Sequence, residues 1–244
     1  MGIQSESVDS RPVLFFVHGA FFGAWSWDAV RQDLSARGWR SQTVDLPSVA
    51  DRGSARLALF DDATLVRRRI KEIAGPVVVV AHSYGGVVVT QAAAGLPNVR
   101  HLIYVCGFQL DVGESLLGVT GKAPDWWNIE GDILTVHDPR AVFLHDVPQG
   151  VALQAVARLK PLTLSATTQK LTIAAWHRIS STYIAADEDK AIPLAGQGFL
   201  ARRAAYVRHL PSGHLPLLSM PSALADLIVE AADATTKSEK SNLI

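Results

Sequence analysis

Ala81-His82-Ser83-Tyr84-Gly85-Gly86 stands between the apolar run Val77-Val78-Val79-Val80 and the stretch 87–94, and its reading decides the fold. The run before it is β-branched and wholly apolar, as for a strand buried on both faces, while 87–94 suits a buried helix. A strand that passes directly into a helix through a serine holds that residue at the apex of a tight turn with its hydroxyl exposed. The positions two before and two after must then be small so that strand and helix can approach. Ala81 and Gly85 meet the demand, although glycine is usual at the first place. The same turn sets the Tyr84 amide at a helix N-terminus, where unpaired N–H groups favour developing negative charge.

Working outward, strand and helix alternate, which predicts an α/β protein with a mostly parallel sheet. Upstream, Val13–Val17 reads as a buried strand opening onto His18-Gly19, a helix is expected over 26–37 with Gly38 closing it, and a strand near 40–44 follows. Asp61 or Asp62 is expected to cap a helix whose apolar stripe is Leu65, Val66, Ile70 and Ile73, stopped by Gly75-Pro76. Downstream, 99–106 reads as a strand, which makes Cys106 a core residue. The alternation breaks over 108–178, where helical stretches near 151–159 and 167–175 predict an inserted helical cap. It resumes with strands at 181–186 and 205–209 and helices at 194–203 and 221–232, and the polar tail 235–242 reads as a frayed end. The core is therefore expected over 1–107 and 179–244, as one domain.

A serine hydroxyl needs a base, and the base needs an orienting carboxylate, in the chain order serine, acid, histidine. Asp187, Glu188 and Asp189 cluster just past the 181–186 strand, on the edge where α/β sheets place sites. Asp189 is the chosen acid, with its two neighbours as alternatives and Asp111 as a further one. His214, in the loop Pro211-Ser212-Gly213-His214, is the chosen base. Among the other seven histidines, His18 and His82 read as turn-shaping, and the rest as surface, core or cap residues. The loop His18-Gly19-Ala20-Phe21-Phe22-Gly23 can supply a second oxyanion donor, the Ala20 amide, beside that of Tyr84. Gly19, Phe21, Phe22, Trp126, Trp127, Trp176 and Leu215 are the expected substrate-binding residues, the rings serving a small hydrophobic or aromatic ester or simply packing.

Composition narrows the partners. Lys plus Arg and Asp plus Glu number 23 each, so no field of one sign draws nucleic acid or an anionic membrane. One cysteine allows no internal disulfide, no metal-binding Cys/His spacing occurs, and neither metal nor cofactor is expected. The polar first eleven residues lack an apolar leader core, and no apolar run approaches the roughly 18 residues of a membrane span. These features predict a cytoplasmic monomer or homodimer acting on a small molecule.

From about 13 to 232 the chain resembles the α/β hydrolases, and within them the branch holding plant methyl esterases and hydroxynitrile lyases. The resemblance rests on His18-Gly19-Ala20 with Trp25-Ser26-Trp27, on His82-Ser83-Tyr84-Gly85-Gly86, on Asp189 with Ile192-Pro193, and on Gly213-His214. It implies that Asp189 is the acid and that 108–178 roofs the pocket. Similar lyases carry a lysine after the catalytic histidine and a threonine in place of the oxyanion-loop glycine. Leu215 and Gly19 stand there in this chain, which favours an esterase over the alternatives of a carbon–carbon lyase or a non-catalytic receptor on the same fold.

Overall fold

The computed structural model describes residues 11–51 and 57–241, with side chains through residue 234. The polar stretch 1–10, part of the argument against an export leader, lies outside the described residues. Strands β1 (Val13–Val17), β2 (Ser41–Val44), β3 (Val77–His82), β4 (Val99–Val105), β5 (Trp127–Glu130), β6 (Ile133–Val136), β7 (Leu162–Thr163), β8 (Ser181–Ala186) and β9 (Tyr206–Leu210) form two sheets. The larger sheet runs β2-β1-β3-β4-β8-β9, and all five of its pairings are parallel. Every residue of β1, β3 and β8 is buried, which is why β1 and β3 read as apolar runs and why β8, despite opening with Ser181-Thr182, shows no alternation.

Register brings the carboxyl ends of these strands to one edge. Val17 lies opposite Ala81, His82 opposite Val105, and Ala186 opposite Leu210. The order also reverses at β1, which has β2 on one side and β3 on the other, so the loops leaving β1 and β3 diverge around a crevice.

Helices α1 (Asp28–Ala36), α2 (Leu59–Lys71), α3 (Gly85–Ala92), α8 (Leu194–Ala201), α9 (Pro216–Ser219) and α10 (Pro221–Ser241) belong to the sheet layers. A 3-10 turn over Ala24–Trp27 leads into α1, and Gly38, at φ 78°, closes it in the left-handed conformation that favours glycine. Helix α2 corrects the sequence reading. Neither aspartate is its N-cap: Ala58 holds that place and its N–H donates to Asp61, while Asp62 joins Leu59, Ala63, Val66 and Ile70 on the buried face. Helix α10 continues to Ser241, past the end expected from its apolar pattern.

The segment 108–178 contains α4 (Leu116–Thr120), α5 (Pro139–Phe143), α6 (Gln149–Ala157) and α7 (Leu164–Thr168), but it is not wholly helical. An antiparallel sheet β5-β6-β7 runs through it, with Gly131 at φ 62° in the β5-β6 turn. The helix expected over 167–175 is replaced by the short α7 and a 3-10 turn over Ala175–His177. Near its end the hydroxyls of Thr167 and Thr168 donate to the carbonyls of Leu164 and Ser165, competing with helix propagation. No helix among the described residues is long and apolar enough to cross a membrane.

Candidate active site

Ser83 sits at φ 49°, in a left-handed conformation that costs a non-glycine residue about 1–3 kcal/mol. The surroundings hold it there: its N–H donates to Val105 O at 3.2 Å, and its carbonyl accepts from Gly86 and Phe108 at 2.9 and 3.1 Å. A Cβ on Gly85 would stand 2.6 Å from His18 O, and one on Gly86 would stand 2.9 Å from the Phe108 backbone. The two glycines therefore let α3 close onto β1 and onto the chain leaving β4. Ala81 is accommodated fully buried within β3.

Three side chains distant in sequence meet at this turn. His214 Nε2 lies 3.1 Å from Ser83 Oγ, and its Nδ1 lies 2.8 Å from Asp189 Oδ2. The other Asp189 oxygen accepts from the N–H groups of Ala191 and Ile192 at 2.7 and 2.9 Å. A carboxylate so pinned holds a proton on Nδ1 and leaves the Nε2 lone pair facing the hydroxyl. The alternative acids face elsewhere: Asp187 pairs with His209 at 2.7 Å and Asp111 with His177 at 2.9 Å, while Glu188 is solvent-exposed.

The loops carrying the acid and base have supports that the sequence reading missed. Gln197, fully buried on α8, accepts from Ala186 N–H and donates to the carbonyls of Ala186 and Ile192, which staples the acid loop shut. The His214 carbonyl accepts from His82 Nε2 at 2.8 Å and from the Cys106 thiol at 3.3 Å. Gly213 N–H donates to Asp146 at 2.7 Å, and a Cβ there would fall 2.5 Å from the same carboxylate. His82 thus anchors the base loop rather than merely shaping its own turn, and burial holds its imidazole pKa well below the ordinary value. His18, lowered to about 4 by burial, is likewise neutral: it donates from Nδ1 to Gly19 O and accepts Leu46 N–H at Nε2.

Ala20 and Tyr84 border the same pocket as Ser83 and His214, and among the described residues neither of their N–H groups has an acceptor. Gly19 brings the two loops together, since a Cβ there would lie 2.9 Å from Ser83 Cβ and 2.7 Å from His82 Nδ1. Phe21, Trp126 and Trp127 line the pocket, and among the described residues that line it His214 is the only one with an ionisable side chain apart from Tyr84. Four of the expected substrate-binding residues do not reach it. Gly19 lies behind Ser83, Phe22 packs against Trp25 and Phe143, and Leu215 is buried in the core. Trp176 turns away, its indole N–H donating to Leu110 O and its ring contacting His177. Phe143, unassigned from sequence, takes their place at the centre of an aromatic wall, 5.3 Å from the His214 ring and 5.2 Å from Trp126.

His82, Cys106 and His214 are the one group of possible metal ligands among the described residues, with ligand atoms within 4.8 Å of one another. Their hydrogen bonds account for the grouping: His82 Nε2 and Cys106 Sγ face the His214 carbonyl, and both His214 nitrogens belong to the relay.

Comparison with known proteins gives concordant results. A family model described as "Alpha/beta hydrolase family" matches residues 14–227. The chain is 28% identical to alpha/beta hydrolase nvfD of Aspergillus novofumigatus, over 91% of this chain and 97% of that one. It is 26% identical to Methylesterase 9 of Arabidopsis thaliana, over 89% and 96% of the two chains. Among solved structures, a pyrethroid hydrolase from Sphingobium faniae JZ-2 superposes with a TM-score of 0.80 at 23% identity, covering 93% of this chain and 99% of that one.

Proposed function

Since the chain belongs to the alpha/beta hydrolase family, we propose that it hydrolyses small, uncharged carboxylic esters through an acyl-enzyme on Ser83. The observation that carries this reading is the continuous relay from Asp189 through His214 to Ser83 at the wall of an apolar pocket. His214 Nε2 takes the hydroxyl proton as Ser83 Oγ attacks the ester carbonyl carbon, and Asp189 stabilises the imidazolium that forms. The N–H groups of Ala20 and Tyr84 hold the oxyanion, each donor worth about 2.7–4 kcal/mol by analogy with a protease hole. Collapse expels the alcohol, which receives the proton from His214. Water, deprotonated by the same imidazole, then attacks the acyl-enzyme, and the carboxylic acid leaves with Ser83 Oγ reprotonated. The cycle needs water alone as co-reactant.

Substrate class follows from the wall. Phe21, Phe143, Trp126 and Trp127 offer aromatic surface without a fixed charge to pair with a substrate carboxylate or ammonium. The methylesterase relative supports ester chemistry, and segment 108–178 acts in this reading as the cap over the acyl group. A lyase role lacks its cation: Leu215, beside His214, is a buried core residue. The free, buried thiol of Cys106 suits a reducing cytoplasmic setting.

The test is initial-rate hydrolysis of p-nitrophenyl esters of increasing acyl length by the wild type and Ser83→Ala. Turnover that needs Ser83 and favours short or aromatic acyl groups is expected. Wild-type rates no higher than those of the variant across the series would overturn the proposal.

A further inference from the structure

The sequence pattern of α2 contains an anomaly that the triad does not use. Leu59, Ala63, Val66 and Ile70 form its buried face, and Asp62, with no exposed surface, shares it. Burying a carboxylate is expensive unless its oxygens are satisfied, and no cation pairs with this one among the described residues. Its three donors are neutral and converge from two directions. Oδ1 accepts Ser48 N–H at 2.9 Å, while Oδ2 accepts the Ser48 hydroxyl at 2.5 Å and the Tyr84 phenol at 2.6 Å.

Both partners border the reaction. Tyr84 follows Ser83, carries one of the two proposed oxyanion N–H groups, and borders the pocket. Ser48 lies in the loop after β2, and its carbonyl accepts Thr163 N–H at 3.1 Å; the next residue, Val49, bridges Leu162, which also lines the pocket. One carboxylate therefore ties the residue after the nucleophile to strand β7, whose Leu162 lines the pocket. Burial pushes the Asp62 carboxyl up to about 6, in keeping with a charge held where water cannot relax around it.

We infer that Asp62 is a positioning residue, which fixes Tyr84 through its phenol so that the Tyr84 N–H stands ready for the oxyanion. This rests on the ester-hydrolase reading for its assay, and on the geometry of Ser83 and Tyr84 for the rest. Asp62 touches no reacting atom, so its effect should appear where the oxyanion develops rather than in ground-state binding.

Asp62→Asn retains the shape and removes one acceptor, whereas Tyr84→Phe deletes only the phenolic oxygen at the other end of the bond. Each should lower kcat by about ten-fold while KM moves by less than about two-fold, and the double variant should be no slower than the worse single one. The rate at which a small fluorophosphonate labels Ser83 should fall by the same factor, because its phosphoryl oxygen enters the oxyanion site. Circular dichroism and the thermal midpoint establish folding, and if Asp62→Asn does not fold, Tyr84→Phe decides. Folded variants with wild-type kcat and labelling rates, or losses that multiply in the double variant, would overturn the inference while leaving the esterase reading intact. A wild type silent on every ester, yet labelled at Ser83 more slowly once Asp62 or Tyr84 is changed, would overturn the esterase reading and sustain this one. A wild type that neither turns over esters nor labels at Ser83 would overturn both.

Discussion

Asp187 and Asp189 leave the same strand and face different histidines, the first exposed against His209 and the second buried against His214. Burial decides which of them can orient a base, because only a carboxylate shielded from water holds one imidazole tautomer firmly. In Asp189→Asn the side-chain amide must present its NH2 either to the His214 Nδ1 side or to the N–H groups of Ala191 and Ile192. The first orientation forces the wrong imidazole tautomer, the second sets the NH2 against two N–H donors, and both lose the charge that stabilises the imidazolium. We expect kcat on the best p-nitrophenyl ester to fall by about 10³–10⁴ for Asp189→Asn, as for the equivalent change in a serine protease. Asp187→Asn and Asp111→Asn should stay within about three-fold of wild type, as surface changes that leave the reacting groups in place. Equal, small losses in all three would remove Asp189 from the site. The serine and histidine were legible because each sits in a short glycine-containing loop after a strand, the serine's being an unbroken valine run. The acid was ambiguous because three carboxylates share one loop, and sequence carries no measure of their burial. Gln197, Asp146 and Phe143 were not legible, since each acts through contacts that no local period encodes, such as the Gly213–Asp146 bond across 67 positions.

Elements built on unbroken apolar runs were read to within a residue or two, and β8 was read to its observed limits. The errors fall where polar residues do structural work. Asp62 looked like a cap because it precedes an apolar stripe, yet α2 begins at Leu59 and turns Asp62 inward. The β5-β6 hairpin was missed although Gly131-Asp132 separates two short β-prone runs, because its strands are half-exposed and lack a continuous apolar signature. The turn from β3 into α3 depends most sharply on one element meeting another. Gly85→Ala would press a methyl to within 2.6 Å of His18 O and 2.9 Å of Val17 O, both backbone atoms that cannot swing aside. We expect a loss of at least about 1–3 kcal/mol, read as a lower urea midpoint, together with lost turnover as α3 is pushed from β1. Gly198→Ala on α8 is the control: its methyl meets nothing within 4 Å, so helix propensity alone should raise stability by up to about 1 kcal/mol. Comparable destabilisation by both would mean that helix–strand approach is not what Gly85 provides.

For the molecule as a whole, equal numbers of acidic and basic side chains leave its acid sensitivity to a few buried groups. His18, His82 and His101 are buried, and desolvation lowers all three imidazole pKa values, His18 and His101 to about 4. Between pH 6.5 and 4 the unfolded chain therefore binds protons on them that the folded chain refuses. Their contribution is present above pH 6.5 and is lost as pH falls through the folded values; for His18 alone the difference amounts to about 3 kcal/mol. Asp62 acts in the opposite sense. Its folded pKa of about 6 lies above the free value of 3.8, so its contribution is full below 3.8 and is lost as pH rises through 6. Three imidazoles against one carboxyl leave a net uptake of about two protons on unfolding near pH 5, a slope of about 3 kcal/mol per pH unit. Against a typical total of about 5–15 kcal/mol, that slope is enough to bring the fold near its limit within two units. Urea midpoints measured at pH 7.5, 6.5, 5.5 and 4.5 should be level between the first two and drop steeply thereafter. Asp62→Asn, which removes the opposing group, should make the drop steeper by the equivalent of about one proton. A midpoint that holds level down to pH 4.5 would mean that the three histidines gain their protons without unfolding, and that the bond from Leu46 N–H to His18 Nε2, which only a neutral ring can accept, does not persist in solution.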